Sequence, residues 1–384
     1  MRVGIFGGTF NPPHIGHVQS AVAAVKQLEL DVVYVIPTGV PPHKPLPEGT
    51  PPAGVRHIMT LSAFRGVEKT IVSDIEVKNT KPSYTADTVM MIRQGYPDDE
   101  IILLVGTDMF LTIESWRDCE KLLKHVTPAV FSRSPYDSEK IRDHSQTIWE
   151  RYGVATRIVT NDVVQISSSK LREMLIKRDG VRYITDTNYS YIIKNRLYGA
   201  KADWDWLRER AYSMLNPDRI PHVSGCEQEA LRLAPRWDVD IDDAREAAIL
   251  HDITKRLGLS EHLQILEDCG ITVGEMGFAG EKLLHAISGA ALAKSAFGVS
   301  DAVAEAIRWH TTGRAGMSML EKVVYIADFI EPERAFPMVG ELRKLAYEDI
   351  DKAMIMGLEL TISHIKTRGI TPDHATLDAL LDLS

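Results

Sequence analysis

The first residues that could do chemistry lie near the start of the chain, in the segment HIGH at residues 14–17. Gly7 and Gly8 precede it and follow a short apolar run typical of a strand. Glycines let backbone N–H groups approach a phosphate closely, and a helix start adds partial positive charge. His14 and His17 are three residues apart and share one helix face. We expect both imidazoles to stabilise a phosphate during transfer; a ligand-free histidine pair in a loop is the plainer alternative.

A second set of chemically capable residues is spread over the second half of the chain. It consists of six imidazoles and carboxylates in or beside helix-like segments: His222, His251, Asp252, His285, His310 and Asp328. Such a set suits a divalent-metal site in a helical bundle. The adjacent pair at 251 and 252 can converge on one cluster near a helix end. Mixed His/Asp ligation favours Fe, Mn or another first-row metal over an all-oxygen Mg²⁺ site. Any one of these histidines alone would more often be structural.

The segments that must position these two sets differ in how their apolar residues are spaced. Up to about residue 199, short apolar and β-branched runs such as RVGIF, DVVYVIP and IILLVG alternate with helix-like stretches. This alternation predicts a Rossmann-like parallel sheet covered by helices, with ligands at the carboxyl ends of the strands. A proline-rich loop at 37–52 interrupts the rhythm, where a loop covering the substrate could project.

The second half has a helical rhythm throughout. Segments such as DDAREAAILHDI and DAVAEAIRWH carry apolar residues at three- and four-residue spacing. We therefore predict an α/β domain over residues 1–199 and an all-α domain over residues 203–384. A chain of 384 residues also exceeds what one hydrophobic core usually serves.

Composition narrows the class of protein. No apolar run approaches the roughly 20 residues of a membrane span, and the start lacks the regions of a signal peptide, so export is not expected. Three cysteines without CxxC spacing argue against a disulfide framework and fit a reducing cytoplasm. A net charge of −9 disfavours long nucleic acids as partners, whereas small nucleotides need only a few local cations. A homo-oligomer is left open.

The segments around the first set carry a family resemblance. In chain order they are GGTFNPPHIGH, PTGVPPHK, PSYTADTV, GTDMFLTIESW, FSRSP, ISSSKLREML and YIIKNRLYG. Residues 1–199 therefore resemble the nucleotidyltransferase superfamily that shares its HIGH motif with class I aminoacyl-tRNA synthetases. Within that superfamily the best match is nicotinate-nucleotide adenylyltransferase.

This resemblance implies a site for ATP with its Mg²⁺. The residues it assigns to ATP are Gly7, Gly8, Thr9, Phe10, His14, His17, Lys44, Gly106, Asp108, Arg133, Ile166, Ser167, Ser168 and Arg172. His14, His17 and Arg172 are the expected catalytic residues, because they would stabilise charge on the transferred group. Lys44 and Arg133 fit equally well as solvated surface cations if the motifs are ignored. Asp108 could instead cap the helix that follows it.

The resemblance also implies nicotinate mononucleotide as the acceptor, near Lys44, Tyr84, Thr85 and Trp116. The flat ring of Trp116 would stack on the pyridine, and N–H groups around Thr85 would receive the carboxylate. By residue type alone, Trp116 is more typical of a packing aromatic. The implied reaction is attack by the mononucleotide phosphate on the α-phosphorus of ATP, giving deamido-NAD and pyrophosphate.

The second set resembles the HD-domain phosphohydrolase superfamily. The segments DRIPHV, AAILHDITK, LLHAISGA, AIRWHTTGR and ADFIEPERAFP are similar to a bacterial family that hydrolyses diadenosine tetraphosphate symmetrically to two ADP. The resemblance implies two divalent metal ions about 3.5–4 Å apart that activate water, iron in the first place and manganese as the alternative, with Asp252 as a catalytic residue. The expected polyphosphate contacts are Arg219, Lys255, Thr311 and Arg314.

Three alternatives remain open at this point. The first half could adenylylate an RNA-linked substrate, although an acidic chain without a basic surface fits this poorly. The helical half could be a metal-bound regulatory module without hydrolase activity. It could also hydrolyse another nucleotide, such as a deoxynucleotide or a cyclic dinucleotide. We assign no functional role to the remaining histidines, including His144, His262, His364 and His374.

Overall fold

The computed structural model of the protein describes residues 1–41, 45–79, 81–132, 135–160, 164, 166–271 and 283–384. The chain separates into two compact units, Met1–Lys201 and Ala202–Ser384. The first is α/β and the second is helical, which confirms the predicted fold classes. No helix in the described ranges is long and apolar enough to cross a bilayer.

The first unit contains one six-stranded sheet whose strands all run parallel. The strands are β1 (Arg2–Gly8), β2 (Val32–Pro37), β3 (Thr70–Val72), β4 (Glu100–Gly106), β5 (Thr127–Ser132) and β6 (Arg157–Thr160). Their order in the sheet is β3-β2-β1-β4-β5-β6. The order reverses between β1 and β4, and parallel sheets bind ligands in the crevice at such a point. The glycines that end β1 and β4 therefore lie where a ligand is expected.

The strands are nearly continuous apolar runs because both faces of the sheet are covered. Successive side chains of a strand point to opposite faces. Accordingly, Val3 and Ile5 of β1 pack in one apolar cluster with Leu103, while Phe6 packs in the other with Leu104. This burial on both faces fixes the register, and with it the level at which each strand ends.

Eight helices accompany the sheet in the described part of the first unit. They are α1 (Ile15–Gln27), α2 (Ala53–Ala63), α3 (Thr85–Gly95), α4 (Thr107–Phe110), α5 (Cys119–Leu123), α6 (Pro135–Tyr152), α7 (Ser168–Ile176) and α8 (Asp186–Lys194). Four of them begin directly after a residue assigned to the nucleotide site. Their N-caps are His14 for α1, Tyr84 for α3, Gly106 for α4 and Ser167 for α7.

The second unit is built from helices throughout its described residues. They are α9 (Trp204–Ser213), α10 (Ile220–Arg236), α11 (Ile241–Leu250), α12 (Leu259–Asp268), α13 (Leu284–Phe297), α14 (Asp301–Trp309), α15 (Met319–Ile330), α16 (Val339–Glu348), α17 (Ile350–Thr367) and α18 (His374–Leu383). Helix α10 packs against α11 and α15, and α14 packs against α13 and α15. These five helices surround the predicted metal ligands.

Candidate active sites

Two cavities meet at the carboxyl ends of β1 and β4. One has a volume of about 470 Å³ and the other about 230 Å³. Both are lined by a common wall of Phe6, Gly7, Gly8, His17 and Gly106. Glycine is needed here because a side chain would fill the space between the strand end and a ligand. Two ligands placed in these cavities would therefore meet at His17.

The two histidines of the HIGH segment are held against each other. The backbone N–H of His14 donates to Nδ1 of His17 over 3.2 Å, and the two ring centroids are 3.7 Å apart. Because Nδ1 of His17 accepts this bond, the ring proton of neutral His17 lies on Nε2. The Phe10 ring packs 4.9 Å from the His17 ring. His17 therefore keeps an N–H donor at Nε2 in a fixed orientation.

The larger cavity contains the residues assigned to the acceptor. Tyr84, Thr85 and Trp116 all line it. Thr85 is the first residue of α3, so free N–H groups of that helix start point toward an anion placed there. Trp116 is partly buried and also packs against the core, so the expected cavity contact and the plainer packing role both apply.

Sequence reasoning missed two charged residues of this cavity, Glu76 and Arg117. The Arg117 guanidinium lies 4.4 Å from the centroid of the Tyr84 ring. The Thr88 hydroxyl donates to the Glu76 carboxyl over 2.7 Å, and burial raises the pKa of Glu76. Arg117 directly follows the IESW motif and could have been found there. Glu76 carries no comparable signal, because its importance comes from burial.

The smaller cavity contains residues assigned to ATP. His14, Ile166, Ser167 and Ser168 line it together with the shared wall. The side chain of Ser167 accepts a hydrogen bond from the backbone N–H of Lys170 and caps α7. The Ser168 hydroxyl is used locally, since it donates to the carbonyl of Pro12 over 2.9 Å. Backbone N–H groups at the start of α7 remain suited to a phosphate.

Two residues expected to bind ATP, Phe10 and Arg172, do not line either cavity. The Phe10 side chain is fully buried beside Phe64, so it orients His17 from the core. Arg172 donates to the carbonyl of Asn11 over 2.7 Å and to the Ser169 hydroxyl over 3.2 Å. It therefore supports the loop before α1 in this conformation.

Asp108 is exposed and is the second residue of α4, whose N-cap is Gly106. The alternative that Asp108 caps this helix is therefore wrong. Thr9 lines the larger cavity. Lys44 and Arg133 lie outside the described residues.

The second unit brings its six predicted ligands into one buried cluster. His222 lies on α10, His285 on α13 and Asp328 on α15. His251 and His310 are the C-caps of α11 and α14. Asp252 follows His251 directly, and the helix ends there. Two overlapping groups have ligand atoms within 4.8 Å of one another: His222, His251 and Asp328, and His251, Asp252 and His310.

The donor atoms of this cluster fit divalent metal ions. Nδ1 of His251 and of His310 lies 2.8 and 2.6 Å from the carbonyls of Ala248 and Ile307. Donation to these carbonyls puts each ring proton on Nδ1 and leaves Nε2 as an acceptor. Nε2 of His222 nevertheless lies 3.3 Å from Nε2 of His251. Facing acceptors repel one another unless a cation or a proton lies between them.

His222 and Asp252 support the same fit. Nδ1 of His222 lies 3.0 Å from the Glu331 carboxylate, and its Nε2 lies 3.0 Å from Asp328. Oδ1 of Asp252 is buried without a hydrogen bond from a described residue. Nε2 of His285 lies 3.3 Å and Nε2 of His310 lies 3.5 Å from this oxygen. Buried polar atoms are rarely left unsatisfied. The imidazole nitrogens and carboxylate oxygens of this cluster therefore fit bound cations.

The pKa directions show that Asp252 stays charged beside His251, whereas burial governs His285 and Lys255. Burial alone would raise the pKa of Asp252, but the charge of His251 holds it well below its usual range. Burial opposes protonation of His251, yet Asp252 raises the pKa of this imidazole well above its ordinary value. Burial lowers the pKa of His285 to about 4. Burial also lowers the pKa of Lys255.

Glu331 and Arg334 complete the cluster and were missed by sequence reasoning. Glu331 is 1% exposed and orients His222 through Nδ1. Arg334 donates to Oδ1 of Asp328 over 2.6 Å. Both residues lie in the ADFIEPERAFP segment, so the signal was present. The role of Glu331 could not be read there because its partner His222 is 109 residues away, whereas Arg334 pairs with Asp328 only six residues earlier in the same segment.

The expected polyphosphate contacts divide into two pairs. Arg219 donates to Asp252 over 2.7 Å, and Nζ of Lys255 lies 2.8 Å from Nε2 of His285. Arg314 is instead held by two 2.8 Å bonds to the buried Glu321. That pairing explains why no described contact brings Arg314 to the cluster. Thr311 is half-buried and directly follows His310.

A hydrogen-bonded chain supports the His285 ligand from behind. The Thr254 hydroxyl donates to the carbonyl of His285 over 2.7 Å, and the Ser288 hydroxyl donates to Thr254 over 3.0 Å. Nδ1 of His262 lies 2.8 Å from the Ser288 hydroxyl. His262 had no expected role, and here it packs within the support of the cluster.

Comparison with known proteins matches each unit to a different family. A cytidylyltransferase-like profile matches residues 5–174, and an HD-domain profile matches residues 219–333. A protein from Shouchella clausii named "probable nicotinate-nucleotide adenylyltransferase" is 36% identical over 52% of this chain and 97% of its own length.

One relative matches along nearly the whole chain, and one solved structure belongs to the HD superfamily. A Mycoplasma genitalium protein named "probable nicotinate-nucleotide adenylyltransferase/Ap4A hydrolase" is 27% identical over 95% of this chain and 99% of its own length. A solved structure from Clostridium acetobutylicum, described as a predicted HD superfamily hydrolase involved in NAD metabolism, is 37% identical. It covers 48% of this chain and 98% of its own, with a TM-score of 0.46. The chain therefore belongs to the nicotinate-nucleotide adenylyltransferase family and carries an HD domain after the adenylyltransferase unit.

Proposed function

We propose that residues 1–199 transfer AMP from ATP to nicotinate mononucleotide, forming deamido-NAD and pyrophosphate. The observation that carries this proposal is the pair of cavities joined at Gly7, Gly8 and His17. A group-transfer enzyme must hold two anions so that the attacking oxygen, the phosphorus and the leaving oxygen are in line. Two cavities with one shared phosphate wall supply that arrangement.

The roles of the residues follow from their positions. ATP occupies the smaller cavity with Mg²⁺ on its phosphate oxygens, and its α-phosphate lies at the shared wall. His17 donates from Nε2 to an oxygen of that phosphate, where negative charge grows during transfer. His14 lies beside it at the start of α1. The mononucleotide occupies the larger cavity, with its ring against Trp116 and its carboxylate near the N–H of Thr85.

No covalent enzyme intermediate is needed for this transfer. An oxygen of the mononucleotide phosphate forms a bond to the α-phosphorus while the bond to pyrophosphate breaks. Incubation of the protein with ATP, Mg²⁺ and nicotinate mononucleotide should yield deamido-NAD and pyrophosphate in equal amounts. Release of AMP without deamido-NAD would reject the assignment of the acceptor.

We infer that residues 203–384 hydrolyse diadenosine tetraphosphate. Support comes from the clustered ligands and from the paired name of the Mycoplasma genitalium relative, which matches along almost the whole chain. When bound, a pair of divalent ions, which we propose to be iron, supplies the Lewis acidity that activates water toward a phosphoanhydride. His222, His251, Asp252, His285, His310 and Asp328 would hold them.

Two cationic side chains beside the cluster would bind the polyphosphate of the substrate. Arg219 and Lys255 lie at one edge of the ligand set and would bind polyphosphate oxygens. The lowered pKa of Lys255 does not prevent this, because an anion nearby favours the charged amine. Glu331 would keep the Nε2 lone pair of His222 directed into the cluster.

Product analysis tests the substrate and the symmetry of cleavage together. The protein loaded with Fe²⁺ or Mn²⁺ is incubated with diadenosine tetraphosphate, and the products are resolved by ion exchange. Symmetric cleavage gives ADP alone. A mixture of AMP and ATP would reject symmetric cleavage. If diadenosine tetraphosphate stays intact while a deoxynucleotide or a cyclic dinucleotide is hydrolysed, diadenosine tetraphosphate is not the substrate.

A further inference from the structure

Arg56 on α2 is a buried cation that sequence reasoning did not single out. It is 1% exposed and is among the largest fully buried side chains. Its guanidinium donates to four backbone carbonyls: Thr9 at 2.6 Å, Thr38 at 2.7 Å, Gly39 at 3.1 Å and Pro51 at 3.3 Å. One side chain thus connects three separate stretches of the first unit.

The charge of Arg56 has no acidic partner among the described residues. Burial lowers the pKa of Arg56, but a guanidinium keeps its proton in proteins. Placing a cation in the interior is costly unless it is hydrogen-bonded or paired. Four carbonyl oxygens satisfy its donors but leave its net charge unneutralised. That charge would favour an anion bound on the other side of the loop.

The stretches that Arg56 connects form the cleft. Thr9 follows β1 and Thr38 follows β2, and both line the larger cavity. Two further side chains donate hydrogen bonds to carbonyls of the loop after Thr9. Arg172 donates to the carbonyl of Asn11, and Ser168 donates to the carbonyl of Pro12. Arg56 is the described side chain that joins Thr9 to the β2 loop. Together with the bond that the backbone N–H of Thr38 donates to the carbonyl of Gly8 over 2.8 Å, it sets the distance between the two loops that must hold both reactants.

We propose that Arg56 is a positioning residue for adenylyl transfer. Its forked guanidinium fixes Thr9 relative to Thr38 and places a positive charge directly behind the phosphate loop. This inference rests on the proposed transfer of AMP by the first unit. Because alignment matters most in the transition state, loss of the fork should lower kcat more than it weakens binding of either substrate.

Arg93 provides a matched control for a purely structural tether. It also donates to backbone carbonyls of its own unit, at Tyr96 over 3.1 Å, Asp99 over 2.5 Å and His125 over 2.7 Å. It belongs to neither set of lining residues for the two cavities. Substitution of Arg93 therefore removes the same kind of bonds without touching the cleft.

The test compares Arg56→Met, Arg56→Lys and Arg93→Met in the full chain. Thermal unfolding gives the folded fraction, and initial rates give kcat and both KM values per folded molecule. We expect Arg56→Met to lower kcat about tenfold to a hundredfold with smaller changes in KM, since small misplacements cost that much. Arg56→Lys should recover only part of kcat, because its ammonium keeps the charge but lacks the fork. Arg93→Met should keep the wild-type kcat.

The outcomes separate this inference from the proposed function. A wild-type protein that makes no deamido-NAD would reject the function itself. A wild-type protein that makes it, with equal kcat in Arg56→Met and Arg93→Met, would overturn the role of Arg56. A further variant, Arg56→Ala, leaves space for a free guanidinium ion, and partial recovery of its kcat by guanidinium below the denaturing range would support positioning. Hydrolysis by the second unit of the same samples reports whether the chain is otherwise intact.

Discussion

The two candidate sites are assembled from different parts of the polypeptide. In the first unit, strand ends and four helix starts surround open cavities, and backbone groups supply much of the wall. In the second, side chains from five helices converge on one another with little space between them. The first site keeps open space in which ligands could lie. The second brings together imidazole and carboxylate atoms that could hold a metal ion.

Two buried carboxyls show the same contrast in their electrostatics. Glu76 lies in the larger cavity, and burial raises its pKa. Asp252 lies among imidazoles and beside Arg219 and Lys255, and its pKa is held well below the usual range despite burial. A carboxyl without a cation is pushed toward its neutral form, whereas one surrounded by cationic groups stays charged. Only the second environment is suited to ligate a metal.

The largest effect should come from Asp252→Ala. Loss of a shared ligand removes several kcal/mol of metal-derived charge stabilisation, so hydrolysis should fall at least about a thousandfold. Deamido-NAD synthesis should stay at the wild-type rate. Asp268→Asn changes an exposed carboxylate of α12 and serves as the control. Hydrolysis within tenfold of wild type in Asp252→Ala would place the chemistry elsewhere.

The next effect concerns His17→Ala in the first unit. Removal of one donor to the developing charge typically costs about a hundredfold to a thousandfold in kcat. We expect that loss in deamido-NAD formation and none in hydrolysis. His125→Ala, which removes a partly buried imidazole outside both sets of lining residues, should leave both rates unchanged. Full synthesis by His17→Ala would refute the assignment of the shared wall.

A smaller effect is expected when the support of a metal ligand is weakened. Glu331→Gln keeps the size of the side chain but removes the charge that orients His222. Substitutions of such supporting groups cost about tenfold to a hundredfold in metal affinity. Titration of the apo-protein with Mn²⁺ measures this affinity directly. An unchanged affinity would mean that Glu331 only fills space.

The smallest effect is a change in the pH dependence of stability at Glu76. The folded state binds the proton of this carboxyl more tightly, so its contribution to stability is present below the unfolded pKa and is lost as pH rises through the folded pKa. Glu76→Gln cannot titrate. The difference in Tm between Glu76→Gln and wild type should therefore increase from pH 4 to pH 7, as measured by calorimetry. A constant difference would contradict the raised pKa.

The fold was largely predictable because its signals are local. Alternating apolar runs and helical spacing predicted a parallel sheet followed by helices, and the structure confirms both. The HIGH segment and the spaced histidines also named residues that do come together, such as His14 with His17 and His222 with His251. Each of these was recognisable from residue type and motif order.

What could not be predicted depends on contacts between distant segments. Arg56 acts through carbonyls 5 to 47 residues away, and Glu331 acts on a histidine 109 residues away. Glu76 matters because it is buried, and burial is a property of the packed chain. Arg314 adjoins a ligand segment in sequence, yet its bond to Glu321 directs it elsewhere. Adjacency in the chain therefore predicted the contacts of Arg219 and Lys255 but not that of Arg314.

The central claim is that one chain carries two independent sites with different chemistry. One incubation tests it: wild type, His17→Ala, Asp252→Ala and the double variant each receive ATP, nicotinate mononucleotide and diadenosine tetraphosphate, with Mg²⁺ and Mn²⁺. Resolved products should show deamido-NAD lost only with His17, ADP from diadenosine tetraphosphate lost only with Asp252, and both lost in the double variant. Loss of both products in either single variant would contradict two separate sites.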